Sequence, residues 1–155
     1  MNYSAVEPQP VPGVLHVDVL REEERGILGL LGAARRLHER LEQALEAAGL
    51  SVAKYHALDQ LARVGHPMPL SELATCLQCV RSNVTQLVDR LESDGLVRRV
   101  ADPADRRTTR AELTPLGAER HGSGAAAVSR VHEELVGRLT PDERATLLRA
   151  LTALA

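Results

Sequence analysis

Residues Leu70–Gly117 read LSELATCLQCVRSNVTQLVDRLESDGLVRRVADPADRRTTRAELTPLG, and the hydrophobic period changes within them. Ser71 stands where a helix cap is expected, and Leu73, Ala74 and Leu77 then share one helical face. A turn around Cys79–Arg81 separates this short helix from a second, expected from about Ser82 to Ser93. Its apolar residues Val84, Leu87, Val88 and Leu91 sit at i, i+3, i+4 and i+7, a single apolar stripe. Gly95 stops it. The pattern then turns strand-like: Leu96–Ala101 and about Thr108–Leu113 are expected strands, joined by the turn residues Asp102, Pro103, Ala104 and Asp105.

The outward side of the second helix is bare of large apolar groups. It carries Ser82, Asn83, Thr85, Gln86, Asp89 and Arg90, with Arg81 just before it. Asn and Gln suit the adenine edge in a major groove, Arg suits guanine, and the Thr methyl suits thymine. An ordinary solvated face is the plainer alternative, but such faces usually carry Glu and Lys. The hairpin tip holds Arg106 and Arg107 beside Asp102 and Asp105. An arginine there can enter a narrow minor groove, where the negative potential is highest. Arg98 and Arg99, at the start of the first strand, can meet phosphates. Each could instead pair with a neighbouring acid, yet so many arginines on one small hairpin favour the first reading. Helix, turn, helix and hairpin in this order describe a winged helix-turn-helix facing duplex DNA.

The flanks are helical. The chain reads as an extended or disordered arm over 1–13, where Pro8, Pro10 and Pro12 fall, and a dimerisation helix within 14–48. That helix is expected from about Val19 to Ala48, with Ile27, Leu30, Leu31, Ala34, Leu37, Leu41 and Leu45 as its stripe and Gly49 as its stop. A DNA-binding unit follows over 49–114. Its first helix is capped by Ser51, turns Tyr55, Leu58 and Leu61 inward, and is broken by Gly65, Pro67 and Pro69. Two C-terminal dimerisation helices fill 115–155. The first starts at Thr114-Pro115 and runs to about Leu139, with Val128, Val131, Leu135 and Leu139 on one side. The second opens on Thr140-Pro141-Asp142-Glu143, a capping box, and should turn Leu147, Leu148, Leu151 and Leu154 inward. The fold class is thus mainly α with a small β-hairpin wing. The terminal helices hold more apolar surface than one small core uses, which points to a homodimer.

Composition narrows the function. In 155 residues the formal charge is −2, so any nucleic-acid role must rest on local charge. The arginines near residue 100 are interleaved with Asp89, Glu92, Asp94, Asp102 and Asp105, so a basic footprint needs folding to separate the signs. Aromatics make up 1% of the chain, which argues against single-strand binding by base stacking. No apolar run approaches the roughly 20 residues of a membrane span, and no secretory signal is visible. Two cysteines fit a cytoplasmic setting. No Gly-rich phosphate loop, nucleophile elbow or metalloprotease motif supports an enzyme. A winged helix that binds protein and not DNA is the remaining rival, kept alive by the near-neutral charge.

The long motif SNVTQLVDRLESDGLVRRVADPADRRTTRAELTPLG resembles the signature of the MarR family of winged-helix transcription regulators. The matching residues are Thr85, Leu87, Val88, Asp89, Arg90, Leu91, Glu92, Asp94, Gly95, Leu96, Val97 and Arg99; Asp102, Pro103, Asp105, Arg106 and Arg107; and Leu113, Thr114 and Gly117. The resemblance implies an obligate homodimer, with each recognition helix in a major groove of a pseudo-palindromic operator. Each wing would reach the adjacent minor groove through Arg107, with Asp105 shaping the turn. It also implies a repressor released by a small effector bound between the DNA lobe and the dimer base. It carries no effector identity; His16, Arg21, Arg35, His38 and His56, with nearby leucines, are the candidate lining of such a cleft. No cofactor is implied.

Cys76 and Cys79 form C-x-x-C just before the recognition helix. They read either as a thiol switch, whose oxidation would strain the helix-turn-helix, or as small half-buried fillers, and the filler reading is the expected one. Zinc would need further ligands, and no second C-x-x-C or paired-histidine spacing supplies them.

Overall fold

The computed structural model describes residues 22–102, 105 and 108–154. It divides into two units, Met1–Arg36 and Leu37–Ala155. The first helix, α1 (Glu22–Glu46), begins in the first unit and ends in the second. Gly49 ends it as expected: at φ +68° its N–H reaches the Glu46 carbonyl, while that of Leu50 turns back to Leu45. Ser51 then caps α2 (Val52–Val64) by accepting the Lys54 N–H, and Gly65, at φ 72°, closes it.

The winged unit follows as β1 (Met68–Pro69), α3 (Leu70–Cys76), α4 (Arg81–Ser93), β2 (Val97–Ala101) and β3 (Thr109–Leu113). The sheet is antiparallel in the order β1-β3-β2, with Arg99 opposite Ala111 and Val97 opposite Leu113. Strand β1 was not expected; it pairs Met68 with Ala111 and Pro69 with Arg110. Pro69, not Ser71, occupies the N-cap of α3. Ser71 lies within the helix, where its carbonyl accepts the Thr75 hydroxyl. Pro69, at φ −57° and ψ 139°, takes the cap position without a side-chain bond, so no serine cap is used.

One core serves this unit. Val84, Val88 and Leu91 of α4 are buried with Leu73 and Ala74 of α3, Leu58 and Leu61 of α2, and Met68, Val97 and Ala111 of the sheet. The apolar stripe of α4 is therefore its inner seam, and burial of such side chains contributes roughly 1.5–3 kcal/mol each.

Helix α5 (Pro115–Val136) is pinned to the sheet at its first turn. The Thr114 N–H donates to the Leu96 carbonyl, and its hydroxyl donates to Gly95 and accepts from the Gly117 N–H. A Cβ at Gly117 would lie 1.9 Å from the Leu96 carbonyl oxygen, so only glycine allows this approach. Val131 is buried and Val128 packs against the core. Helix α6 (Pro141–Leu154) opens on the expected capping box, with Glu143 accepting the Thr140 N–H and Thr140 accepting that of Glu143.

The inward placement of the α6 leucines is corrected. Leu147, Leu148 and Leu151 are exposed in the single chain, Leu148 to 65%. In the first unit, Ile27, Leu28, Leu30 and Leu31 of α1 are exposed too. These stripes have the right period, but among the described residues nothing covers them. Among the described residues no helix is long and apolar enough to cross a membrane.

Candidate nucleic-acid interface

Helix α4 carries the candidate contact face. Because Val84, Val88 and Leu91 are buried, the residues between them are forced outward. Arg81, Ser82, Asn83, Thr85, Gln86, Asp89 and Arg90 are all exposed. The Thr85 hydroxyl donates to the Arg81 carbonyl at 3.0 Å, which leaves its methyl as the outward group. Val80 is the N-cap and provides no side-chain bond; the Asn83 N–H donates to the Val80 carbonyl at 3.0 Å, so of the first-turn N–H groups those of Arg81 and Ser82 stay open to an anion. Among the described residues, Arg81 and Arg90 have no carboxylate partner.

The strand arginines differ. Arg99 is 27% exposed and donates to Asp89 at 2.6 Å and to Glu92 at 2.5 Å. It also reaches the Thr85 carbonyl at 3.4 Å, so one guanidinium ties β2 to the Thr85–Asp89–Glu92 side of α4. Partial burial alone would lower its pKa; the bonds to Asp89 and Glu92 outweigh that and raise it. Arg98, 66% exposed, donates to Glu112 on the facing strand at 2.6 Å. That bond raises the Arg98 pKa and holds the Glu112 carboxyl below its ordinary range. Arg110 donates to the buried Asp102 carboxylate and to the Pro67 carbonyl, the latter at 3.0 Å. It thereby joins the base of the wing to the approach of β1.

Asp105 is exposed and accepts the Thr108 hydroxyl at 3.0 Å, while its carbonyl accepts the Thr108 N–H. This geometry closes the loop toward β3. Arg106 and Arg107 lie outside the described residues.

The candidate effector lining is less coherent. His16 and Arg21 lie outside the described residues. Arg35 belongs to the first unit and is exposed. In the second unit, His38 stands 3.7 Å from Glu42 of its own helix, and His56 lies beside Tyr55 with ring centres 6.2 Å apart. A separate hollow of about 250 Å³ is lined by Gly49, Lys54, Asp94, Leu96, Leu116 and Arg120. Lys54 and Asp94 form an ion pair at 2.5 Å across it.

Cys76 and Cys79 are free and both exposed, which overturns the half-buried expectation. Among the described residues no cluster of histidine, cysteine or acidic groups could hold a metal. The sequence reading missed Arg110 and Asp102 as a structural pair; it had Thr114 as the cap of α5, but not its bonds back to Gly95 and Leu96. Only the spacing across the hairpin hinted at the first pair.

Comparison with known proteins agrees with this geometry. A family profile described as MarR family matches residues 48–108. The chain is 32% identical over 113 residues to the HTH-type transcriptional regulator PrsX of Escherichia coli, covering 72% of this chain and 68% of that one. It is 37% identical over 90 residues to the transcriptional activatory protein BadR of Rhodopseudomonas palustris, where the match covers 57% of this chain and only 51%, about half, of BadR. Among solved structures, Sco3205, a MarR family transcriptional regulator from Streptomyces coelicolor in complex with DNA, aligns with a TM-score of 0.78 and 29% identity. That alignment covers 87% of this chain and 90% of Sco3205.

Proposed function

The chain belongs to the MarR family of transcriptional regulators, and from that premise we propose that it is a homodimeric repressor of a pseudo-palindromic operator. The observation that carries this reading is the α4 face: polar, exposed, seated on a buried seam, and with two arginines, Arg81 and Arg90, that meet no carboxylate among the described residues. Gln86 and Asn83 suit adenine edges, Arg90 suits guanine, and the outward Thr85 methyl suits thymine. Ser82, Arg81 and the open first turn of α4 suit phosphate. Asp89 then acts by holding Arg99.

Arg107, with Arg106 beside it, is proposed to enter the minor groove from the wing, and Asp105 to shape the turn that aims it. The exposed leucines of α1 and α6 would be covered in a second copy of the chain, and two recognition helices would then sit about one helical turn of DNA apart. A dimer that occupies a promoter excludes polymerase, hence repression. The hollow near Gly49, with Arg120 on its lining beside the Lys54–Asp94 pair, is the place proposed for a small effector. The protein would act in the cytoplasm, on chromosomal DNA and without a catalytic step.

The test is fluorescence anisotropy on duplex DNA from upstream of the protein's own gene, over a range of salt. Log affinity should fall linearly with log salt, by about 0.9 per phosphate contact. Arg107→Ala should weaken every site that has a narrow minor groove. A flat salt response, or equal affinity for scrambled duplex, would leave only a protein-binding winged helix.

A further inference from the structure

We propose that Val80 is a specificity-determining residue of the DNA contact: its side chain meets the 5-methyl group of a pyrimidine in the major groove. The proposal rests on the regulator reading. Val80 is 64% exposed. Among the described residues, the other large apolar side chains exposed to solvent lie on α1, α5 and α6, so Val80 stands alone in the helix-turn-helix. A single surface valine needs no explanation by itself. Its position does.

Val80 is the N-cap of α4, extended at φ −66° and ψ 145°. Its carbonyl accepts the N–H groups of Asn83 and Val84 at 3.0 and 3.4 Å, but its side chain makes no cap bond. Ser, Thr, Asp and Asn are the favoured caps, and valine is among the poorest. This chain uses the favoured kind elsewhere: Ser51 at α2, Thr114 at α5 and Thr140 at α6. A hydrophobic staple does not account for the choice, because it would place the apolar residue one position earlier, where Cys79 stands. Helix α4 thus forgoes a cap, and at this exposure it gains little burial in exchange. A residue that breaks two local rules without a packing gain marks a functional position. The turn before it is fixed. The Cys79 N–H donates to the Ala74 carbonyl at 3.0 Å and the Gln78 N–H to Thr75 at 3.1 Å, with Gln78 in the left-handed place at φ 51°. Val80 is therefore presented by an ordered backbone.

The N-terminal residues of a recognition helix are those that contact base edges. Arg81, Ser82 and Asn83, which follow Val80, are all exposed and all able to hydrogen-bond. Val80 cannot, so neither a phosphate nor a base heteroatom is its partner. The apolar group that a base edge offers in the major groove is the methyl on C5. A β-branched side chain with a stiff torsion loses little freedom on meeting it, and the contact takes apolar surface of both partners out of water. Thymine and 5-methylcytosine carry this methyl in the same place, whereas deoxyuridine and cytosine lack it.

The experiment is a methyl scan of duplex DNA from upstream of the protein's own gene, read by anisotropy with the full-length chain. Each thymine in turn is replaced by deoxyuridine and, in a second series, each cytosine by 5-methylcytosine. Both series are repeated with Val80→Ser, which removes the methyl groups and restores a favoured cap. At the contacted thymine, deoxyuridine should lower wild-type affinity by about fourfold, the worth of one buried methyl, and leave the affinity of Val80→Ser unchanged. Val80→Ser should bind the unmodified duplex more weakly by about the same factor, yet melt no lower than the wild type. Val80→Thr, which keeps one methyl, should fall between the two. The thymine assigned to Thr85 should keep its deoxyuridine penalty in Val80→Ser, which separates the two readers. A 5-methylcytosine that raises wild-type affinity by that factor, and not that of Val80→Ser, would support the contact and name a modified cytosine as its source. If no substitution in either series depends on Val80, the contact is overturned. Weaker binding by Val80→Ser with a matching loss of stability would overturn it too, because Val80 would then act through the fold. Failure of the wild type to bind the unmodified duplex would instead overturn the regulator reading, and the methyl contact with it.

Discussion

The arginines of α4 and those of the β2–β3 hairpin come from one short stretch, yet they are held in opposite ways. Arg98, Arg99 and Arg110 each lie against a carboxylate: Glu112, Asp89 with Glu92, and Asp102. Arg81 and Arg90 lie against none among the described residues. Interleaved charge therefore does not require the two signs to collect on different faces. Among the described residues the strand arginines pair with the acids of the hairpin and of the α4 side facing it, while Arg81 and Arg90 on the recognition helix keep their charge. A chain with a net charge of −2 can present a basic face by this internal cancellation. The two groups should then fail in different ways: the tied arginines through stability, the untied ones through DNA affinity.

The largest effect expected from breaking this contrast is at Arg110. Asp102 is buried, its side chain 8% exposed, and Arg110→Ala would remove the guanidinium that donates to it. A stability loss of about 3 kcal/mol is expected by urea unfolding. The double variant Arg110→Ala/Asp102→Ala should recover most of it, because the buried charge is gone as well. Equal stability of wild type and Arg110→Ala would mean that the pair is ornamental and that the wing is held by the β3 ladder alone.

Arg90→Ala should invert that pattern. The side chain is exposed and unpartnered, so the melting temperature should not move. Affinity should fall by about 1–3 kcal/mol, and chiefly at one base position, if Arg90 reads a guanine. A uniform loss over all sequences, with a shallower salt slope, would assign Arg90 to phosphate instead. Arg99→Ala sharpens the comparison from the other side. It should lower affinity only through a loosened α4, and so carry a stability loss with it; affinity lost at full stability would put Arg99 on the DNA.

These pairings also mark what a single sequence can disclose. Helix α4 was legible because Val84, Leu87, Val88 and Leu91 repeat with the helical period, and its caps and those of α5 and α6 because Gly95, Thr114 and Thr140 are local signals. Gly117 was legible as part of a motif, and its reason emerged only with the Leu96 carbonyl beside it. Strand β1 was not legible, since two residues show no period and their pairing depends on β3, far along the chain. The partners of Arg98, Arg99 and Arg110 were equally hidden. Each depends on strand register, which decides which acid faces which base. The α6 leucines misled for a related reason: periodicity gives a face, not what covers it.

The smallest expected effect lies at the most exposed pair, Arg98 with Glu112. Ion pairs on the surface contribute little, so Arg98→Ala should barely shift unfolding at neutral pH. The pair should still be visible in titration. The Arg98 hydrogen bond lowers the Glu112 pKa from its ordinary 4.5. A carboxyl lowered in the folded state contributes stability above its unfolded pKa, and loses it as pH falls through the folded value. The window is thus acidic, from about 4.5 downward, and neutral pH lies on its plateau. Carboxyl NMR should find Glu112 titrating below 4.5 in the wild type and returning toward that value in Arg98→Ala. An unchanged Glu112 titration would free Arg98 from its strand partner and move it to the group of arginines open to a phosphate. The same spectrum on addition of operator DNA tells which partner wins. Loss of the Glu112 shift on binding means that Arg98 has turned to the duplex, and its persistence means that the strand arginines stay with their acids while α4 alone makes the contact.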